Sequence, residues 1–276
     1  MKFSLLVVTT DRLRLVERLF VSLAAQTYKN FELILIHGKG CAVEAQTLVG
    51  NYAAKLNIKI VTSTDNCLSR SRNIALSLIN GDIVSFPDDD CMYAPNTLAQ
   101  CASAFAETPC AHVLMARVLD MDATILPSTA AVREINRVSV FRHSISFAQF
   151  LKKECVKAVG GFDEDLGVGC ATPFQSGEDT DYVLRALKAG FRLFYAPSIV
   201  VRHPAVNLRD PVLPGKVQAY ARGRMRLLQK HGMPTWFIMA NIVHPLARIP
   251  VECLKEGLLI CRYRWGMFKA RLAGRL

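Results

Sequence analysis

From residue 3 to residue 86 the chain alternates short apolar runs with segments of helical periodicity, and this alternation restricts its fold more than any other feature. Phe3–Val8 is a continuous apolar run of buried-strand type. Leu13, Val16, Phe20 and Leu23 then recur at helical spacing, which predicts an amphipathic helix. Phe31–Ile36 and Ile58–Thr62 are read as the next strands, with a helical stretch near 43–55 between them. Ser69–Ile79 is read as a further helix, closed by Asn80-Gly81, and Asp82–Phe86 as a fourth strand. Strands and helices joined this tightly imply a parallel sheet covered on both faces. In such sheets ligands bind beyond the carboxyl ends of the strands.

The second half is less periodic. Pro95 suits the first turn of a helix running to about Ala106. A strand is expected at His112–Val118, more strand around 138–147, and two short strands around 192–195 and 198–202. Between them, residues 160–181 are rich in Gly, Asp and Glu and precede a helix ending near Lys188. The glycines of this stretch predict a flexible loop able to wrap a substrate.

Two acidic clusters stand where such a sheet would bind a ligand. Asp88-Asp89-Asp90 directly follow the apolar strand. Like charges this close are unfavourable without a cation, and hard oxygen ligands favour Mg²⁺ or Mn²⁺. An acidic surface turn is the plainer explanation of the same triplet. Glu178, Asp179 and Asp181 lie in Ser176–Asp181 at a helix start. Capping needs one of these acids, and three exceed that need. A carboxylate here is suited to take a proton from an acceptor hydroxyl.

Seven stretches in order carry a family resemblance. They are Val7–Arg12, Ser22–Tyr28, Leu68–Asn73, Gly81–Asp90, Gly160–Glu164, Ser176–Asp181 and Tyr195–Pro197. The chain resembles the family 2 glycosyltransferases of the nucleotide-diphospho-sugar (GT-A) fold over roughly residues 3–203. That resemblance implies an α/β, Rossmann-like domain with a mostly parallel central sheet and helices on both faces. It would occupy residues 1–205, with a nucleotide half to about 92 and an acceptor half from 93 to 205. The implied reaction is inverting transfer of a sugar from a nucleotide-diphospho-sugar donor to an acceptor hydroxyl, assisted by Mn²⁺ or Mg²⁺. Asp88 and Asp90 match the metal-binding acids, and Asp179 of the Glu178-Asp179 pair matches the catalytic base. Thr9, Asp65 and Arg72, with Asp88 and Asp89, lie where the family touches nucleotide or diphosphate. His203 stands where some relatives bring an imidazole to the metal. One departure is His37-Gly38-Lys39-Gly40, where the family commonly has a pair of acids followed by Gly-Ser, so a uridine donor does not follow. The rival readings are a sugar nucleotidyltransferase and a non-catalytic basic binding protein on the same scaffold. The first is disfavoured by Thr9-Thr10-Asp11-Arg12, which lacks the glycines of its phosphate loop.

Charge separates the remainder. Residues 1–201 hold 20 Lys/Arg and 20 Asp/Glu, whereas residues 202–276 hold 14 Lys/Arg against three acids, which is the whole net charge of +11. Residues 206–276 are therefore read as a basic, amphipathic helical extension, with Arg222, Arg226 and Lys230 on a polar face and a last cation at Arg275. Such helices suit an anionic membrane surface, and no motif supports nucleic acid. Trp236 and Trp265 are either buried anchors or interface residues. No uncharged run reaches the ~20 residues needed to span a bilayer, and no signal-peptide layout is read at the start. The nine cysteines show no C-x-x-C spacing and are expected as reduced, mostly buried thiols. A cytoplasmic chain, peripheral on the inner membrane face and acting on a saccharide or lipid-linked acceptor for surface polysaccharide or glycolipid, is the expectation.

Overall fold

A computed structural model describes residues 1–274 apart from Pro127, Thr129 and Pro211, and leaves the side chains of Lys255 and Glu256 undescribed. Arg275 lies outside the described residues. The first half runs β1 (Phe3–Thr9), α1 (Leu13–Ala24), β2 (Phe31–Gly38), α2 (Ala42–Tyr52), β3 (Ile58–Ser63), α3 (Leu68–Leu76) and β4 (Ile83–Ser85). These strands pair in parallel in the order β3-β2-β1-β4, with Phe3 opposite both Phe31 and Ile83. Successive residues of β1 face opposite cores. Phe3, Leu5 and Val7 pack with Val16, Leu19 and Phe20 of α1, while Leu6 joins Ile34, Ile36 and Val84 on the other side. Burial of both faces is why these strands are continuous apolar runs rather than alternating ones.

The second half runs β5 (Met92–Tyr93), α4 (Thr97–Glu107), β6 (Val113–Leu119), β7 (Arg133–Ile135), β8 (Gln149–Lys152), α5 (Lys153–Val159), α6 (Glu178–Lys188) and β9 (Leu193–Arg202). The sheet extends as β4-β8-β6-β9-β5, with β7 also on β9, and here its pairings are mixed. Two expectations are corrected. Residues 139–142 and 146–148 form 3₁₀ turns, and the strand begins only at Gln149. Asn136 explains the first turn, because its side-chain oxygen accepts the N–H groups of Val138 and Ser139, each at 2.9 Å. The two short strands near 195 and 200 are one strand, β9, whose pairing shifts from Ala116–Ala196 to Arg117–Val200. Pro197 lies in the skipped stretch and has no N–H to give to a ladder.

Three helices follow: α7 (Leu213–Lys230), α8 (Thr235–Glu256) and α9 (Leu258–Ala273). The helix α7 packs on the start of α6 so closely that a Cβ on Gly223 would meet the carbonyl oxygen of Ser176 at 2.4 Å. Its last turn closes on Asp181, which is fully buried and accepts from Lys230 Nζ at 2.6 Å, His231 Nε2 at 2.8 Å and Arg185 Nε at 2.8 Å. Lys230, expected on a polar face with Arg222 and Arg226, is also a counter-ion of the buried Asp181, although all three residues are exposed. Burial opposes the Asp181 charge, but these donors outweigh it and hold the carboxyl at about 2. A depressed carboxyl stabilises the fold above its ordinary titration range and ceases to do so as pH falls towards 2. Asp181→Asn is expected to cost roughly 2–3 kcal/mol at pH 7, because Lys230, Arg185 and the His231 imidazole lose a buried partner. Urea denaturation at pH 7 checks this, and the difference from wild type should shrink towards pH 3.

The helix α8 is long and apolar enough over Thr235–Leu254 to cross a membrane by length and composition alone. Its Glu252 is tied to α9 by Arg264 at 2.6 Å, and Cys253 is bonded to Cys261. Trp236 and Trp265 are both exposed. Cys67 and Cys170 form a second disulfide, so the expectation of reduced thiols throughout is corrected. Sequence spacing held no sign of these bonds, since the first joins residues 103 apart.

Candidate active site

The strands β1 and β4 deliver the first acidic cluster. Beyond β4 the chain stays beside β1, with Asp88 bridged to Val8, so the three aspartates emerge next to Thr9. Asp89 is buried and accepts from Thr9 Oγ1 at 2.7 Å and Arg12 Nε at 3.0 Å. Burial pushes its carboxyl up to about 6 despite these donors. Both of these fall on Oδ2, and Arg12 Nη2 donates to Oδ1, so both oxygens of Asp89 are occupied within the protein. Arg12 also reaches Asp90 through Nη1 at 3.2 Å.

Asp90 faces His203, which follows β9. The imidazole Nε2 lies 3.2 Å from Asp90 Oδ1, yet that buried oxygen has no hydrogen-bond partner. His203 Nδ1 is 2.8 Å from the carbonyl of Pro204, the geometry in which it donates, and the ring stacks on Phe147 with centroids 4.4 Å apart. Donation from Nδ1 leaves the Nε2 lone pair pointing at a carboxylate oxygen in the neutral ring. Two acceptors face to face require a proton or a cation between them. Burial disfavours the proton, but in the protonated ring Nε2 donates to Asp90, and this bond with the charges of Asp90 and Asp88 holds the imidazole pKa above its ordinary value. One ligand atom from each of Asp88, Asp90 and His203 falls within a 4.8 Å group. Two carboxylates and an imidazole suit Mn²⁺ or Mg²⁺.

The second cluster is joined to the first by Arg72 of α3. This fully buried guanidinium donates to Asp88 Oδ1 at 3.1 Å, Ser146 Oγ at 3.0 Å and Glu178 Oε1 at 3.4 Å. It lies 5.4 Å from the Phe162 ring and 5.8 Å from that of Phe86. Asp179 accepts from its neighbours' backbone, Thr180 N–H at 2.6 Å and Ser146 N–H at 3.2 Å. Burial raises the pKa of both Glu178 and Asp179, and repulsion from Asp179 adds to the effect on Glu178.

Between these groups and the C-terminal helices lies a cavity of about 710 Å³. Thr9, Arg12 and Asp88–Asp90 line one side and His203 another, while Lys216 and Tyr220 of α7 and Tyr263, Met267 and Arg271 of α9 close it. Glu178 and Asp179 are not among its lining residues, but Glu178 and Asp88 are near enough to Tyr220 to add to the rise that burial causes in its pKa.

A family model described as glycosyl transferase family 2 matches residues 4–144. The chain belongs to glycosyl transferase family 2. Over 133 residues, 47% of its length, it is 30% identical to the poly(ribitol-phosphate) beta-N-acetylglucosaminyltransferase TarS of Staphylococcus aureus. The match spans only 23% of that relative. Among solved structures, TarS 1–349 of S. aureus in complex with UDP-GlcNAc aligns with a TM-score of 0.61 at 18% identity, covering 100% of this chain and 90% of that one. Mannosyltransferase PcManGT from Pyrobaculum calidifontis, in complex with GDP-Man and Mn²⁺, aligns at 0.69 and 16% identity, covering 99% and 85%. The α/β architecture described above is the GT-A fold that they share.

In this family 2 chain, Asp65 accepts the N–H of Cys67 at 2.7 Å where α3 begins and pairs with Arg70 at 2.5 Å, beside rather than among the cavity's lining residues. His37 is buried, with Nε2 3.1 Å from Thr62 Oγ1, and does not line the cavity. The glycine-rich loop, expected to be flexible, is tied down instead. Leu68 N–H donates to Val168 O at 2.9 Å, Ser69 Oγ to Leu166 O at 2.6 Å, and the Cys67–Cys170 bond adds a covalent tie. At Gly169 a Cβ would meet Asn66 O at 2.0 Å, so glycine serves close packing there rather than mobility. Sequence reasoning missed Arg12, Ser146, Tyr220, Tyr263 and Arg271. Arg12 was within reach, as the cation in the turn after β1. The other four arrive from distant segments with no local signal.

Proposed function

We propose that this family 2 chain transfers a sugar from a nucleotide-diphospho-sugar to an acceptor hydroxyl with inversion at the anomeric carbon. The carrying observation is that Arg72 joins two acidic clusters of different chemistry. One is an aspartate pair facing an imidazole, where the Asp90 and His203 acceptors need a proton or a cation between them, and the other is the buried Glu178 beside half-buried Asp179 at a helix start. Asp88, Asp90 and His203 would hold the ion. Mn²⁺ or Mg²⁺ bound there would supply neutralisation of the departing diphosphate. Arg12, whose guanidinium is half-exposed beside Asp89 and Asp90, is placed to add positive charge at the same point. Asp179 removes the acceptor proton as the acceptor oxygen forms its bond to the anomeric carbon and the bond from that carbon to the diphosphate oxygen breaks. Arg72 and the Ser146 N–H hold the acids in place. Displacement by one acceptor with one base, and no protein nucleophile in between, inverts configuration.

The names of the relatives support a nucleotide-sugar donor: TarS is seen with UDP-GlcNAc and PcManGT with GDP-Man and Mn²⁺. A polymeric or lipid-linked saccharide acceptor in surface polysaccharide or glycolipid assembly agrees with the poly(ribitol-phosphate) acceptor in the TarS name. The exposed Arg222 and Arg226, with the apolar exposed surface of α8, support a peripheral site on an anionic membrane face, which we place on the cytoplasmic side. The test is release of nucleoside diphosphate from a panel of uridine and guanosine diphospho-sugars with Mn²⁺. At least one donor should release it, and excess EDTA should lower the rate by roughly tenfold or more. A panel in which no donor binds or turns over would overturn the proposal.

A further inference from the structure

A cavity of about 740 Å³ lies between α7, α8, α9 and the 3₁₀ turn at residues 139–142. Among the described residues, Arg271 alone lines both it and the catalytic cavity. Its lining holds Arg142, Arg224, Arg271 and His244, and no described Asp or Glu. Arg224 and Arg271 converge on the buried Asn241 of α8. Arg224 donates through Nε and Nη2 to Asn241 Oδ1, at 3.2 and 3.0 Å, and Arg271 through Nη1 to the Asn241 carbonyl at 2.6 Å. These partners are neutral. Neither guanidinium is ion-paired among the described residues, and Arg271 Nε is buried without a hydrogen-bond partner. Glu252, near enough to act on His244, is already held by Arg248 at 2.5 Å and Arg264 at 2.6 Å. Burial and repulsion from Arg271 lower the Arg224 guanidinium to about 9, and the attraction of Asp179 offsets this only in part.

Two cations packed together away from water are unfavourable, and buried charges are ordinarily paired. The chain supplies no counter-ion here, so a ligand must. A carboxylate or a phosphodiester brings one negative charge and leaves one guanidinium uncompensated. A phosphate monoester carries about −1.5 to −2 at pH 7 and offers three acceptor oxygens, which suits two guanidiniums and the free Arg271 Nε. Phe141, its ring centroid 4.1 Å from the Arg224 guanidinium, and the lining Trp236 and Phe237 add aromatic walls. We propose that this cavity is a second ligand site, separate from the catalytic one, and that it takes a phosphate dianion, free or as a monoester, on Arg224 and Arg271. The site goes beyond the transferase reading and does not rest on it.

The test is calorimetric titration of the full chain, at about pH 7.5 where a phosphate monoester is mainly dianionic, with inorganic phosphate, phenyl phosphate and dimethyl phosphate. Both dianions should bind saturably, and the diester monoanion at least about tenfold more weakly. Arg224→Gln should weaken the dianions by roughly tenfold or more. Arg142→Gln alters only an exposed side chain and should weaken them by about threefold, so it serves where the buried change disturbs folding. In Trp265→Phe, Trp236 is the sole tryptophan, and its emission should change on saturation. Arg12→Gln/Lys216→Gln strips two cations from the catalytic cavity and should leave phosphate binding unchanged. Loss of binding in that variant would place the phosphate in the catalytic cavity and overturn the proposal. Tighter binding of phenyl phosphate than of inorganic phosphate makes the source a monoester, and the reverse makes it the free ion; either supports the site. Absence of saturable binding by both dianions up to roughly 10 mM overturns it, as does dimethyl phosphate binding equally well or unchanged affinity in both arginine variants. No probe is a nucleotide-sugar, so failure here leaves the transferase reading untouched.

Discussion

Asp90→Ala removes Mn²⁺-dependent binding of the nucleotide-sugar. Asp90 offers a buried oxygen without a hydrogen-bond partner, directed at an imidazole whose other nitrogen is already engaged by Pro204. Without that carboxylate, Asp88 and His203 remain as a two-ligand site, which holds a hard divalent ion poorly. Loss of a supporting outer-shell partner alone costs about 10–100-fold in metal affinity, so loss of a ligand should cost at least about 100-fold. Calorimetric titration of the donor with and without Mn²⁺ reads the effect, and the metal-independent part of the affinity should persist. Asp90 also pairs with Arg12, so Arg12→Gln separates the two contributions. It should weaken the donor without abolishing the response to Mn²⁺. Wild-type metal dependence in Asp90→Ala would remove Asp90 from the site.

The second large effect is on turnover. Asp179→Asn should lower kcat by roughly 10²–10⁴-fold, because an amide cannot take the acceptor proton. Donor KM should stay near wild type, as the loss falls on the transition state alone. The protein should still fold. An amide oxygen keeps the two contacts with Thr180, and only the acceptance from Ser146 N–H at 3.2 Å is at risk. Glu178→Gln is the paired control, and the structure gives it a different expectation. Glu178 accepts from Arg72, so the amide keeps that hydrogen bond but removes the negative charge facing a buried guanidinium that also holds Asp88. That change should disturb donor KM as well as kcat. If Asp179→Asn stays within about threefold of wild type while Glu178→Gln is inactive, the base is Glu178. Activity in both variants would leave neither acid as the base.

What the sequence determined by itself was local and periodic. Buried strands must be apolar on both faces, so β1, β2 and β4 were legible as continuous runs. The helix α1 was legible because Val16, Phe20 and Leu23 share one stripe. Both acidic clusters could be read as sites because their charge exceeds what turns or caps require. Tertiary structure decided everything that depends on segments far apart meeting. Arg72, expected at the nucleotide or diphosphate, is not among the cavity's lining residues and instead links clusters 16 and 106 residues away. Asp181, alike in sequence to Asp179, serves packing because Lys230 and His231 close over it. Glycines that predicted a mobile loop are held by Asn66 and the Cys67–Cys170 bond. The basic extension read as an amphipathic tail suited to a membrane surface, and the structure adds that its first and third helices wall the cavity beside Asp88–Asp90. The physical reason is common to all four. Charge and hydropathy are properties of a residue, whereas the partner that turns a charge into a ligand, a base or a counter-ion is set by how distant surfaces pack.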